Sequence, residues 1–140
     1  MAFEYRKGER KIVKCLLDST SAAIVVGDAI TVTNATAGYF KEVDAASEAV
    51  SGIATSASSS PSADGDLFVM VDISPLSIYE VPPDAGSVTQ ALAGASADCG
   101  ANARSVSITA SSTDDIILLE ALVAENLLLV RLAPTFTGVV

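Results

Sequence analysis

The chain has 140 residues, of which 50% are hydrophobic but only 5% aromatic, and its formal net charge is −9. This length suits one domain with a core built mainly from Val, Ile and Leu. An acidic body repels phosphates and argues against nucleic-acid binding. The sequence contains no His, which excludes Ser-His-Asp and Cys-His catalytic arrangements and any His-containing metal site.

The charge is divided unevenly along the chain. Residues 1–14 carry a net charge of +3 and the remainder carries −12. We interpret residues 1–11 as an extended, exposed N-terminal arm, followed by a single β-rich domain at residues 12–140. A subdivision of that domain could fall near residues 82–84, where two prolines adjoin. The basic residues of the N-terminal segment are Arg6, Lys7, Arg10, Lys11 and Lys14.

Short β-like segments follow the arm. The alternation of Ile30 and Val32 with threonines is the period-two pattern of a half-buried strand. Gly27-Asp28 is a natural turn before it. In this half of the chain we predict strands at residues 12–17, 22–26, 29–33, 38–43 and 52–54.

The middle of the chain contains the strongest strand signal. A polar loop at residues 55–66 precedes the apolar run Leu67–Ile73, in which we expect Phe68 to lie in the core. A further strand is predicted at residues 78–81, before the two prolines. Residues 84–105 are small and polar, with a short helical turn predicted over residues 88–93. Residues 106–108 alternate like a strand.

The apolar block at residues 116–132 allows two interpretations. Ile116, Leu119, Val123, Leu127 and Val130 follow helical spacing. The alternative is a hairpin of residues 116–122 and 127–132 around a turn at residues 124–126. We favour the hairpin, because Asn is a natural turn residue and the preceding elements are short and β-like.

Neither end of the chain indicates a membrane protein. Charged residues interrupt the block at residues 116–132, so it is not a membrane span. The N-terminus has no apolar stretch of signal-peptide length. We therefore expect a soluble protein that is made in a cytoplasm and contacts no membrane.

Catalytic and metal-binding patterns are weak. The sequence has no phosphate-binding Gly-rich motif, and the few aromatic residues do not suggest a sugar-binding cleft. The Asp64-Gly65-Asp66 turn and the Asp114-Asp115 pair hold carboxylates that could bind Ca²⁺, but neither matches a calcium-binding loop, and solvated turns explain both. Cys15 and Cys99 are expected to be buried thiols rather than a disulfide. We predict no enzyme, no cofactor and no metal.

The N-terminal segment is the best candidate for a binding site. It combines Phe3 and Tyr5 with the five basic residues Arg6, Lys7, Arg10, Lys11 and Lys14. Aromatic side chains supply contact area and basic side chains supply orientation against an acidic partner, which could be another copy of the chain. A frayed, solvated terminus is the alternative.

The order of these elements resembles a family of virion proteins. The charged arm precedes Gly27-Asp28-Ala29-Ile30-Thr31-Val32 and then Ala49-Val50-Ser51-Gly52-Ile53-Ala54. A Ser-rich loop leads into Asp66-Leu67-Phe68-Val69-Met70-Val71, and Leu92-Ala93-Gly94 leads through residues 106–108 to residues 126–132. In this order the chain is similar to the head-decoration (cement) proteins of tailed bacteriophages.

The resemblance implies an all-β fold, with a small β-barrel or β-tulip-like body and an extended arm. It also implies a structural protein of the virion that binds the outside of the capsid and bridges neighbouring subunits. Its partners would be the major capsid protein and further copies of itself in a homotrimer. The alternatives are another phage surface module, such as a tail or adhesin component, and an acidic carbohydrate- or Ca²⁺-binding module.

Overall fold

The computed structural model describes residues 2–33, 38–46, 48–100, 102–109 and 114–133. These residues form two antiparallel sheets and one short 3₁₀ turn, with no α-helix. The six-stranded sheet has the order β1 (Glu4–Lys7), β7 (Ile78–Val81), β11 (Leu127–Leu132), β10 (Ile116–Leu122), β8 (Ser96–Cys99) and β9 (Val106–Ser107). The five-stranded sheet has the order β2 (Ile12–Leu16), β6 (Phe68–Asp72), β5 (Gly52–Ala54), β3 (Ala29–Val32) and β4 (Phe40–Glu42).

The all-β prediction is confirmed, but the predicted barrel is not. The strand order ends at β1 and β9 in one sheet and at β2 and β4 in the other, and the sheets are not closed into a barrel. An isolated bridge between Leu17 and Phe40 brings the two ends of the five-stranded sheet near each other at one point. The five-stranded sheet is therefore curled without being closed.

The apolar block at residues 116–132 is the predicted hairpin. Strands β10 and β11 pair antiparallel from Ile116 opposite Leu132 to Leu122 opposite Leu127. Asn126 has φ of 54°, a backbone conformation that Asn tolerates better than most residues. The helical interpretation of this block was wrong, because the block forms two strands paired through their backbones, and inward and outward side chains alternate along β11.

Two buried clusters form the core. The larger cluster lies on the inner face of the six-stranded sheet and takes in Ala29 and Ile53 from the other sheet. It contains residues from both sides of residues 82–84, so one core crosses the proposed subdivision. The smaller cluster belongs to the five-stranded sheet. Cys15 lies in the smaller cluster and Cys99 in the larger, and both are buried free thiols as expected. A single domain over residues 12–140 stays a prediction.

Most strands lie where the sequence predicted them. The short helical turn is also present, at Gln90–Leu92. Residues 22–26 are an exception, because there only Ile24 makes an isolated bridge, to Ser58. Strand β8 was not predicted, since its small and polar residues have no strand-like pattern and it is defined by backbone pairing with β10.

The segment predicted to be an extended arm belongs to the body of the chain. Strand β1 pairs antiparallel with β7, with Tyr5 opposite Tyr79. Phe3 is only 2% exposed and donates its N–H to the Gly27 carbonyl at 3.0 Å. The extended arm is therefore not confirmed. The segment folds back because β7 offers an unpaired backbone edge and because Phe3 gains by burial.

Candidate interaction surface

A buried carboxylate fixes the N-terminal segment against both sheets. Asp72 has no exposed surface and accepts hydrogen bonds from the Lys11 N–H and the Ser74 N–H, both at 3.0 Å, and from the Tyr79 hydroxyl at 2.6 Å. The Arg10 Nε lies 3.7 Å from the same carboxylate. Burial and then Asp72 raise the pKa of Tyr79, which keeps its proton as a donor. We call these five residues the Asp72 junction.

The predicted aromatic contacts point inward rather than toward a neighbour. Phe3 packs edge-on against Tyr79, with ring centroids 6.4 Å apart, and Tyr5 does the same at 5.8 Å. The Arg10 guanidinium lies 3.8 Å from the centroid of the Tyr5 ring. Aromatic pairs of this geometry stabilise a core. Phe3 and Tyr5 therefore hold the segment to its own chain, and their predicted contact with a second molecule stays a prediction.

Two of the five predicted basic residues are engaged within the chain. The Arg6 Nη2 lies 2.6 Å from the Glu80 Oε2, across the β1–β7 pair. Arg10 belongs to the Asp72 junction. Both side chains remain partly exposed, but their charges already have acidic partners. Their main effect is to fix the strand rather than to attract a partner.

The other three basic residues remain free to attract an acidic partner. Lys7, Lys11 and Lys14 are exposed, and no ammonium group among them forms an ion pair with any residue in the described ranges. The Lys14 Nζ lies 4.5 Å from the centroid of the Phe68 ring. Because the rest of the chain is strongly acidic, these lysines create a local reversal of charge at the β1–β2 end of the molecule.

An apolar patch adjoins the lysines. Strands β2 and β6 pair with Leu16 opposite Phe68 and Lys14 opposite Met70, so these side chains share one face with Ile12. Ile12, Leu16 and Phe68 are 41%, 38% and 47% exposed. Exposed aliphatic and aromatic side chains grouped this way are typical of a protein-binding surface. We call Ile12, Lys14, Leu16, Phe68 and Met70 the Phe68 patch.

The prediction that Phe68 lies in the core was wrong. Its neighbours Val69 and Val71 are fully buried, and Phe68 lies on the opposite face of the same strand. In a continuous apolar run the sequence does not show which alternate set of residues points inward. The inward and outward residues of β6 are distinguished by the pairing with β2, in which Lys14 lies on the outer face and Cys15 on the inner face.

Strand β2 presents an open backbone edge beside the patch. The Lys11 carbonyl accepts a hydrogen bond from the Ile73 N–H on the β6 side. Backbone groups alternate in direction along a strand, so those of Ile12 and Lys14 point away from β6. Strand β2 is the last strand on that side of its sheet. The surface therefore offers hydrogen-bonding groups, apolar area and positive charge together.

A second buried carboxylate joins the sheets just before the start of β3. Asp28 has no exposed surface and accepts hydrogen bonds from the Arg104 Nε at 2.7 Å and the Val25 N–H at 2.9 Å. The Glu42 Oε2 lies 3.7 Å from Arg104 and accepts no hydrogen bond. Burial, and then the neighbouring Asp28, raise the pKa of Glu42 to about 8. We call Asp28, Glu42 and Arg104 the Asp28 junction.

Neither junction was predicted from the sequence. Asp28 and Arg104 are 76 residues apart, and no motif spacing links them. Both junctions bind the sheets together, and neither presents a free acid or base to a bound molecule. We assign them structural roles.

The predicted calcium candidates have local roles. The Asp64 Oδ1 accepts the Ser19 N–H at 2.8 Å, and the Asp66 Oδ2 accepts the Ser62 hydroxyl at 3.0 Å. The Asp114 N–H donates to the Asp98 Oδ1 at 2.9 Å. Within the described ranges, no three His, Cys, Asp or Glu residues are grouped so that they could hold a metal ion.

A small cleft lies beside the N-terminal strand. Its volume is about 240 Å³, and its lining includes Phe3, Tyr5, Arg10, Val26 and Tyr79. Small-molecule sites are usually larger, about 300–1,000 Å³. We assign the cleft no ligand.

The comparisons with known proteins do not place the chain in a family. A scan against models of protein families, a search of curated proteins and a search of solved structures each returned no match. In the part of the chain that the structure describes, no helix reaches the length and apolar character that a membrane span requires. Functional inference therefore depends on the surface itself.

Proposed function

We propose that this protein is a non-enzymatic structural component of a phage virion. It binds the outer surface of the capsid and stabilises the shell by bridging neighbouring capsid subunits. The supporting observation is the Phe68 patch, which joins Lys14 to exposed apolar side chains on an otherwise acidic chain, with the exposed Lys7 and Lys11 in the same N-terminal segment. The expected fold of the body is β-tulip-like, and the expected location is the exterior of the capsid after synthesis in the host cytoplasm.

The proposed contact uses three kinds of interaction. Ile12, Leu16 and Phe68 supply apolar area. The lysines steer the protein toward an acidic region of the major capsid protein. The open edge of β2 pairs with an exposed strand of the partner. In this proposal the contact is made by the surface of a folded sheet and not by the extended arm that the sequence predicted.

The stabilising effect follows from mass action. A protein that binds the closed shell and not its separated subunits stabilises the shell by its binding free energy. Several linked copies, a homotrimer according to the resemblance, turn weak individual contacts into tight attachment. The proposal includes no nucleic-acid or membrane partner.

The test is binding of the full-length chain to capsids assembled from the major capsid protein of the same source. In the lysine variant Lys7, Lys11 and Lys14 are all changed to Gln. In the matched control Ser59, Ser60 and Ser87, which are exposed elsewhere, are changed to Glu. Both variants are three charge units more negative than the wild-type net charge of −9.

We expect the lysine variant to bind capsids at least about tenfold more weakly, which corresponds to about 1.4 kcal/mol, and the control to bind like the wild type. Equal weakening in both variants would show that only net charge matters, and the assigned surface would then be wrong. If the wild-type protein bound isolated phage tails and did not bind capsids, the result would favour the alternative that it is a tail component.

A further inference from the structure

The outer face of the six-stranded sheet is unusually apolar for a surface that faces away from the core. Its side chains alternate with the buried ones along β7 and β11, and along β10 on either side of an irregularity between Leu118 and Glu120. Five of them are aliphatic and keep part of their surface accessible: Ile78, Ile117, Leu122, Leu127 and Leu129. Leu119 and Val123 in the same hairpin are 38% and 51% exposed.

The charges on this face lie in two rows that cross the strands. Pairing places Lys7 opposite Ile78, and Arg131 opposite Ile117, which gives a basic row. It places Glu4 opposite Glu80, Glu80 opposite Leu129, and Leu129 opposite Glu120, which gives an acidic row. The rows are two residues apart along the strands, or about 7 Å.

Three of these charges, on Lys7, Glu120 and Arg131, lack an ion-pair partner within the described chain. Glu80 is paired with Arg6 at 2.6 Å. Glu120 and Arg131 form no ion pair with any described residue, although they lie diagonally on neighbouring strands. A partner with the opposite arrangement of charge would satisfy all three.

We propose that this outer face binds the same face of a second copy, through a two-fold axis that runs between the two rows. Such an axis turns the second copy over, so that each acidic row faces the other copy's basic row. Glu120 of one copy then lies beside Ile117 and Arg131 of the other, and the contact occurs twice. Isologous contacts of this kind are the commonest in homo-oligomers.

Charge complementarity indicates that the partner of this face is a second copy of the chain. The chain carries a net charge of −9, so most pairings of its surfaces repel each other. The outer face is an exception, because its acidic row and its basic row would each face the row of opposite charge on a second copy. At about 4.8 Å per strand, six strands give a width of about 25 Å. A face of this width should give a contact at the small end for stable interfaces, so pairing should depend on protein concentration.

The test is the mass of the purified full-length chain, measured by sedimentation velocity over a wide range of concentration. The variants are Glu120→Arg, Arg131→Glu and the double exchange. Glu125→Arg is the matched control, since Glu125 is exposed at the turn of the same hairpin. A truncated chain that ends at Ala133 is measured in parallel, because the seven residues beyond it include Phe136 and two valines.

We expect the wild type and the control to pair. Each single exchange should weaken pairing at least about tenfold, and the double exchange should restore it. A monomer or a trimer at every concentration would overturn the proposal, and a trimer would favour the assembly that the resemblance implies. If the truncated chain paired and the full-length chain did not, the outer face would be assigned to contact with residues 134–140 of the same chain. The measurement uses no capsids, so its outcome is separate from that of the capsid proposal.

Discussion

The two sheets are joined by two buried carboxylates, Asp72 and Asp28, and the two junctions differ in how well their carboxylates are satisfied by hydrogen bonds. In the Asp72 junction, one carboxylate receives three hydrogen bonds and lies near one guanidinium. In the Asp28 junction, two carboxyl groups share Arg104, and the Glu42 Oε2 receives no hydrogen bond.

The difference determines how each junction should respond when its carboxyl group is removed or changes protonation. Asp72 accepts hydrogen bonds from three donors, which makes the removal of its carboxylate costly. Burial, and then the neighbouring Asp28, raise the pKa of Glu42 to about 8, so Glu42 holds its proton near neutral pH. The first junction should act as a fixed connection, and the second should respond to pH.

Removing the Asp72 carboxylate should have the largest effect. We expect Asp72→Ala to lower the free energy of unfolding by about 3 kcal/mol, because it leaves buried donors from both sheets without an acceptor. Tyr79→Phe removes one of the three bonds and should cost about 1 kcal/mol. Denaturant unfolding measures both, with Asp66→Ala in an exposed loop as the control, which should change stability by at most about 0.5 kcal/mol. A loss at Asp72 no larger than that of the control would contradict the assigned role.

Removing the shared cation should have an intermediate effect that depends on pH. Arg104→Ala leaves Asp28 and Glu42 facing each other without a positive charge. The Arg104 side chain is 45% exposed, so solvent screening limits the loss to about 1 kcal/mol. The loss should be larger at pH 9 than at pH 5, because Glu42 is ionised at the higher pH. Thermal unfolding of the variant and the wild type at both pH values tests this, and an equal loss at both would count against the shared cation.

The third prediction concerns the pH dependence of Glu42 itself. The folded chain binds the Glu42 proton up to a pH of about 8, whereas the unfolded chain releases it near 4.5. The folded state therefore holds more protons in this window, and the free energy of unfolding should fall as the pH rises through it. The chain has no His, so few other side chains titrate there.

The variant Glu42→Gln should remove most of this slope, because Gln has no proton to release. Denaturant midpoints between pH 5 and pH 8 provide the measurement. Glu125→Gln is the control, since Glu125 is exposed at a turn. A slope that persists unchanged in Glu42→Gln would assign the pH dependence to another group.

Local pattern was enough to predict many of the strands. The alternation at Ile30 and Val32 and the turn at Asn126 identify β3 and the β10–β11 hairpin without any tertiary information. Strand β1 could not be found in this way, because Glu4, Arg6 and Lys7 stay exposed and only the backbone and Tyr5 face β7 and the core. A charged edge strand gives the same sequence signal as a solvated terminus.

The candidate surface was predicted only in part. The sequence located the lysines, but it placed Phe68 in the core and did not show that Phe3 and Tyr5 pack against their own chain. Both points concern which side of a strand faces the body, and that depends on pairing between distant segments. The two junctions were equally out of reach, since Lys11 lies 61 residues from Asp72 in the sequence.

The position of β1 has a consequence for the order of folding. The β10–β11 hairpin joins neighbouring segments and should close within about 10 μs. Strand β1 must find β7, and Arg6 is separated from Glu80 by 74 residues, so its docking should come late. The lysines and the open edge of β2 would then reach their final positions last. The complete binding surface would therefore be present only on fully folded molecules. Partly folded chains would bind the partner weakly.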